Sequence, residues 1–593
     1  MTFDGVGDEN NHEEEDEEMG FDEDNEGEEV DDDDDDDDDV NDYDYGHHEI
    51  LELNMVERSD PKLTKLTVGY MNGGGYIIPP GDDWAGLGNA IGRNKYLKEL
   101  SLYDYDRDTS VKYLLDFLPG LSLNCSIKKL SIGGWNYSDG EVWNHLTQFF
   151  KYNKLNCLKV YCNSSLSTNE FETSLRRFDS LTEFTLISNP DNSWVHNIIL
   201  ALTDHTDLRK LRFRYVEFGN IFRNNDNRRP CCDAMVTLLQ NPRSNLKSLH
   251  LNQTNIDDVG ATIIASGLRS STTLSEIVFS YENKITGAGW ESIFFALKSS
   301  RCMIVKLGVL SCTFNRAATF WLFAALLQHT STIKTLILNH ARGITDTGWI
   351  TLFHILRDPN AVLETLNLDF NSFTNEVLVA LTSALTNNSR LKELTVREYG
   401  NVPVELLGFS NVLRNPNSAL EILDLGMHPM DDQTIISFAE ALFANSRLKH
   451  LRMNLWLGLG LGNTSVTRLG HDALIQLLCN KSSITDTYLS NHILRIICDD
   501  YEEDFLPEDL LSLLELNREN NSSQAARLKI IQTHFSGSEI NMQPFMDLDL
   551  GVKPFVIAWM VRDNNGYPLL RALPLLLDMS SGGKSRLKKR PYE

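Results

Sequence analysis

A chain of 593 residues exceeds the roughly 250–300 at which one compact core stops growing, so it must be several domains or a repeat array. Hydrophobic residues make up 41%, and no run approaches the ~18–20 apolar residues of a membrane span. The net charge of −30 is concentrated: of 84 acidic residues, 27 lie in residues 1–49, which contain no Lys or Arg. The other 57 face 54 basic residues, so the remainder of the chain is nearly neutral.

Residues 1–49 therefore read as a disordered acidic tail, with nine consecutive aspartates from Asp31 to Asp39 and too little apolar surface to pack. Such a tail confers solubility, binds a basic protein partner, or loosely holds divalent cations. Met1 to Asn11 lacks a basic stretch and an apolar run, which predicts no secretory signal. Nine cysteines without framework spacing suit a reducing compartment.

From residue 50 to about 495 the motif L-x-x-L-x-L recurs. Clear copies are Leu97/Leu100/Leu102, Leu208/Leu211/Phe213, Leu246/Leu249/Leu251, Leu363/Leu366/Leu368 and Leu448/Leu451/Met453. The middle position falls at 66, 100, 130, 158, 184, 211, 249, 277, 307, 336, 366, 394, 423 and 451. A worn fifteenth copy is expected at Ile484/Thr487/Leu489. In each unit, leucines alternating with polar residues predict a short strand with one buried face. Val377, Leu381 and Leu385 then form one stripe of a helix, and Asn387, Asn388 and Ser389 end it. A unit of this size cannot bury its apolar face alone, so neighbours stack into an α/β solenoid of about 14–15 repeats, a horseshoe with parallel strands on the concave face and helices on the convex face.

This pattern resembles the ribonuclease-inhibitor-like class of leucine-rich repeats. Ile256-Asp257-Asp258-Val259-Gly260, Ile285-Thr286-Gly287-Ala288-Gly289 and Ile344-Thr345-Asp346-Thr347-Gly348 match that class's turn into the helix. The resemblance implies Asn, Cys or Thr three residues after the last strand leucine. Asn163, Asn189, Thr254, Cys312 and Asn371 comply, whereas Ala341 and His428 depart.

Residues 496–577 lose the period and read as a helical C-terminal cap, with helices at Leu510–Leu516 and Ala525–Ile531 and an apolar run at Phe555–Met560. Leu516-Asn517-Arg518-Glu519-Asn520, Ala525-Ala526-Arg527-Leu528 and His534-Phe535 resemble the ending of leucine-rich-repeat proteins numerous in diatoms. Residues 578–593 form a basic disordered tail ending in Lys588-Lys589-Arg590, a frayed end or a nuclear signal.

Catalytic chemistry finds no footing. Gly583-Lys584-Ser585 ends like a phosphate loop, but Asp578 stands where the required glycine belongs. Gly458, Gly460 and Gly462 read as an irregular turn rather than a nucleotide loop. No zinc spacing exists, and no cofactor is implied. Cys157 and Cys162 read as strand-face and turn residues, Trp290 and Trp349 as helix packing, and Cys231-Cys232, in the one large insertion, leaves a surface thiol open.

Strand alternation points the residues beside each leucine pair away from the core. The expected partner-binding set is Tyr161, Lys210, Arg212, Arg214, His250, Asn252, Asn367, Asp369, Arg397, Asp424, Arg452 and Asn454, with Tyr103, Lys159 and Asn339 alongside. Lys210, Arg212 and Arg214 form the densest basic cluster. The expected function is a non-catalytic intracellular scaffold or adaptor, cytoplasmic or nuclear, that binds protein rather than membrane or nucleic acid. The alternative is a regulator of a small GTPase, since activators of the nuclear-transport GTPase also join such repeats to an acidic tail, although there the tail follows the repeats.

Overall fold

The computed structural model describes residues 55–70, 83–104, 111–133, 140–162, 168–178, 180–188, 194–219, 229–301, 303–398, 406–455, 466–498, 503 and 506–534. The acidic and basic tails, Phe555–Met560 and Gly458–Gly462 lie outside the described residues.

Fourteen strands make one parallel sheet in strict chain order. They are β1 (Lys65–Tyr70), β2 (Glu99–Asp104), β3 (Lys129–Gly133), β4 (Cys157–Cys162), β5 (Glu183–Ser188), β6 (Lys210–Arg214) and β7 (Ser248–Asn252). The series continues with β8 (Glu276–Ser280), β9 (Lys306–Leu310), β10 (Thr335–Ile337), β11 (Thr365–Asn367), β12 (Glu393–Thr395), β13 (Ile422–Pro429) and β14 (His450–Asn454). Every landmark position found by the period pairs with the next one along the sheet, from Leu66 with Leu100 to Leu423 with Leu451. None of the fourteen is more than 3% exposed. A shift of one residue in any rung would turn its leucines outward, so burial itself sets the register.

Between strands run α1 (Trp84–Arg93), α2 (Val111–Leu121), α3 (Gly140–Tyr152), α4 (Thr168–Leu175), α5 (Val195–Leu202), α6 (Pro230–Gln240), α7 (Asp258–Ser270) and α8 (Gly287–Ser299). Next come α9 (Arg316–Gln328), α10 (Asp346–Phe353), α11 (Asn375–Leu385), α12 (Gly408–Arg414), α13 (Asp432–Leu442) and α14 (Arg468–Leu478). Helices need about 8–10 Å of lateral room and strands about 4.8 Å, so a sheet lined by helices on one side curves with the strands inside. The fold is a leucine-rich-repeat solenoid.

The turn motifs show why their residues recur. Asp257 caps α7 by accepting from Gly260 N, while Asp258 accepts from Thr286 N at 2.7 Å and Thr286 Oγ1 at 2.6 Å in the next unit. A Cβ on Gly289 would stand 2.5 Å from Asp258 Oδ1, so the glycine is required by this close approach. Asp432 repeats the arrangement with Thr467. Trp290 and Trp349 pack as expected, against Phe279, Phe294 and Phe314 and against Phe373. Cys231 and Cys232 are fully buried, which overturns the surface thiol: burial pushes the Cys231 thiol up to about 12. Cys157 is half-buried and Cys162 buried.

A second polar ladder, which sequence reading took only as helix breaking, runs along the C-terminal ends of the helices. Asn124, Asn241, Asn388, Asn415, Asn445 and Asn491 each donate from Nδ2 to a carbonyl of the preceding unit at 2.7–3.0 Å. The expected fifteenth strand is absent: Ile484–Leu489 is a helix, α15, because Ser483 caps it through Asp486 N. The rung after β14 is instead a single bridge from His450 to Ile496. The helices expected beyond it form as α16 (Glu508–Glu519) and α17 (Ser522–His534), packed on α14 and α15. Lys529, fully buried, donates from Nζ to Leu478 O at 2.8 Å, tying α17 to the end of α14.

Candidate functional site

Three rows of side chains cross the concave face, set by position relative to each landmark leucine. The row just before the landmark is knit by ion pairs: Glu99 with Lys129 at 2.7 Å, Glu183 with Lys210 at 3.3 Å, and Glu276 with Lys306 at 3.2 Å. Lys210, expected as a partner contact, is thus already engaged by Glu183. His250 lies 3.2 Å from the same Glu276. Burial pushes the imidazole down, and its hydrogen bond holds Glu276 well below the usual carboxylate range. A neutral imidazole donating to an ionised carboxylate satisfies both shifts.

The row after the landmark places Ser131, Lys159, Thr185, Arg212 and His250 side by side on β3 to β7. Two residues further along each strand stand Tyr161 on β4, Arg214 on β6 and Asn252 on β7. Tyr103 and Tyr161 meet edge to face at 5.3 Å across β3, where Gly133 leaves room: its Cβ would lie 2.7 Å from that of Tyr161. Burial pushes the Tyr103 phenol up to about 12. The Lys159 ammonium sits 5.0 Å over the Tyr161 ring, and Arg214 donates to Tyr215 Oη at 3.0 Å. Arg212 and Arg214 are half-buried.

Further along, Asp369 and Asp424 depart from expectation. They are 0% and 2% exposed rather than turned to solvent. Arg397 of the following unit donates to Asp369 from Nε at 3.0 Å and Nη2 at 2.8 Å, and Arg452 reaches Asp424 at 3.4 Å. Each arginine folds over a carboxylate one rung back, because an unpaired buried charge costs several kcal/mol. The exposed member of each pair is the arginine. Asn454 is half-buried on β14.

At the C-terminal edge of β8–β12 the turns enclose a groove of about 810 Å³ lined by Tyr281, Asn339, His340, Asn367, Phe370 and Arg397, among others. Tyr281, His340 and Phe370 occupy one repeat position, four after the landmark, and all have left-handed backbone with φ of 54°, 48° and 58°. That conformation is uncommon for non-glycine residues and collects where geometry is constrained. Asn339 Oδ1 is buried and accepts no hydrogen bond. Asn339 and Asn367 thus belong with the rim groove, apart from the basic rows of β4–β7.

Under this rim runs the first polar ladder. Asn371 Nδ2 donates to Leu338 O and Leu368 O at 2.6 and 2.7 Å, and its Oδ1 accepts from Ala341 N, which compensates for Ala341. His428 fills the other departure by donating from Nε2 to Val396 O at 2.7 Å. Asn163 and Asn189 lie outside the described residues.

Sequence reading passed over Glu282, the ladder residue of the β8 unit, although its place five after Ile277 marks it. It is fully buried and accepts from Thr254 N and Thr254 Oγ1, both at 2.7 Å. Burial pushes this carboxyl up to about 7 despite those donors. The folded value lies above the unfolded one, so folding takes up a proton between pH about 4.5 and 7. The stability contribution is complete below that window and is lost as pH rises through it. Glu282→Gln is expected to remove a loss of about 3 kcal/mol between pH 5 and 8, read as the difference between the two chains' urea-unfolding curves. Parallel pH profiles would contradict this assignment.

Among the described residues no group of three or more His, Cys, Asp or Glu is arranged to hold a metal, and no helix is long and apolar enough to cross a membrane.

No family model matches the chain. The NACHT, LRR and PYD domains-containing protein 14 of Mus musculus is 29% identical over 220 residues, 37% of this chain and 21% of that protein. Its Homo sapiens counterpart is 24% identical over 66% of this chain and 34% of its own length. The ribonuclease inhibitor of Sus scrofa is 26% identical over 283 residues, 41% of this chain and 60% of that protein. The chain therefore spans less than two thirds of the length of each of these relatives. Among solved structures, a chain from the yeast Rad7 and Elc1 complex aligns over 53% of this chain and 73% of its own, at 16% identity and a TM-score of 0.37. Fourteen in-register rungs and helix-turn motifs explained by contacts between units make this chain a leucine-rich-repeat solenoid, and its sequence is similar to that of the ribonuclease inhibitor and of the NACHT, LRR and PYD domains-containing proteins.

Proposed function

We propose that this chain is a non-catalytic intracellular scaffold that binds a protein partner on its concave face. The observation that supports it best is the row of polar side chains from Ser131 to His250, continuous over five strands. Repeat arrays offer long curved faces suited to large ligands. The relative from Sus scrofa is by its name an inhibitor of a ribonuclease, a role exercised by binding protein. The contact residues in this reading are Tyr161, Lys210, Arg212, Arg214, His250 and Asn252 on the basic rungs, continuing to Asn367, Arg397, Arg452 and Asn454. Asp369 and Asp424 hold the last two arginines in place.

Affinity capture with the full chain tests the reading. A partner retained by the wild type and by the convex-face variant Lys298→Glu should be lost with Arg212→Glu/Arg214→Glu, by roughly tenfold or more, as truncated charge contacts at interfaces cost 2–5 kcal/mol. A partner indifferent to the concave variant and lost with the convex one would overturn it.

A further inference from the structure

At the two outward rows of β1 to β9, just after and three after each landmark, the charged side chains are Lys159, Arg212 and Arg214, and no Asp or Glu occurs. Of the carboxylates in these strands, Glu99, Glu183 and Glu276 stand in the row before the landmark, where they pair with Lys129, Lys210 and Lys306, and Asp104 closes β2 four residues after its landmark. The central rows of β3 to β7 thus offer Ser131, Thr185 and Tyr161 hydroxyls, the Lys159 ammonium and two guanidiniums. All are able to donate, on a concave surface that concentrates field. Their chemistry fits a ligand that carries several carboxylates in series.

The chain contains such a ligand. Asp31 to Asp39 is an uninterrupted run of nine carboxylates, and Met55, where the described chain begins ahead of β1, lies sixteen residues on from Asp39. Sixteen residues span at most about 53 Å at about 3.3 Å each. Five strand spacings of about 4.8 Å put β6 about 24 Å from β1. The run therefore reaches β4 to β7 with half of its tether to spare, and being tethered it acts at high effective concentration. We propose that Asp31–Asp39 docks on the Lys159, Arg212 and Arg214 surface of its own chain. This deepens the concave-face reading, since a partner must then displace the segment.

Carbodiimide cross-linking of the full chain, read by mass spectrometry on mixed light and heavy preparations, tests this. Light–light and heavy–heavy links from Asp31–Asp39 to Lys159 and Lys210 are expected at low salt. They should fall at least roughly fivefold in Arg212→Glu/Arg214→Glu and at about 0.5 M salt, because screening removes such contacts. A second variant leaves the fold untouched: with Asp31–Asp39 replaced by asparagines, Lys159 should react with an amine-acetylating reagent about threefold faster in the same low salt. Links spread evenly over Lys62, Lys98 and Lys128, links only between light and heavy chains, or unchanged Lys159 reactivity would each overturn the proposal. Partner capture that still depends on Arg212 and Arg214 would then leave the scaffold reading standing.

Discussion

Asp257→Ala is expected to lower the stability of the chain by about 3–5 kcal/mol, because it removes a carboxylate that a buried guanidinium binds. Arg229 is only 5% exposed and donates from Nε to both carboxylate oxygens of Asp257 at 3.0 Å. The same carboxylate caps α7 through Gly260 N at 2.9 Å. Its removal therefore opens the α7 N-terminus as well, a loss of about 1 kcal/mol by itself. The Arg229 pair holds this carboxyl below its usual range against the opposing effect of burial. Chemical unfolding monitored by circular dichroism measures the loss. The double variant Arg229→Met/Asp257→Ala should recover much of it, since an apolar side chain leaves no charge uncompensated. A cost under about 1 kcal/mol would show that the Arg229–Asp257 pair adds little to stability, against the burial described.

Leu366→Ala is expected to cost about 2–5 kcal/mol, the range for buried leucine truncation. Leu366 is 2% exposed and pairs in register with Leu336 and Leu394. The damage should spread, because each rung is stabilised mainly by its neighbours. Amide hydrogen exchange should accelerate in β10 and β12 before it does in β1 or β14. Uniform acceleration would mean that the array unfolds as one block and that nearest-neighbour coupling is the wrong description.

The fourteen landmark positions, their register and the parallel order were legible in the sequence because they follow from one local rule repeated along the chain. Apolar residues at period two must face the core, and a fixed unit length leaves only the adjacent unit to pack against. The helix-turn motifs were legible for the same reason, as were the helices of α16 and α17. What only the tertiary structure decided are contacts between units whose partners lie about 28 residues away. Alternation assigns Asp369 and Asp424 to the outward rows, but whether a carboxylate there meets solvent depends on the next rung. Arg397 and Arg452 fold back and bury them. The fifteenth copy failed at Ile484 because Ser483 offers a helix cap, and local capping prevails where no following strand is paired. Glu282 kept its ladder place while departing from the ladder's chemistry. Periodicity records where a residue stands; the neighbouring unit, through Thr254, decides what its carboxyl does there.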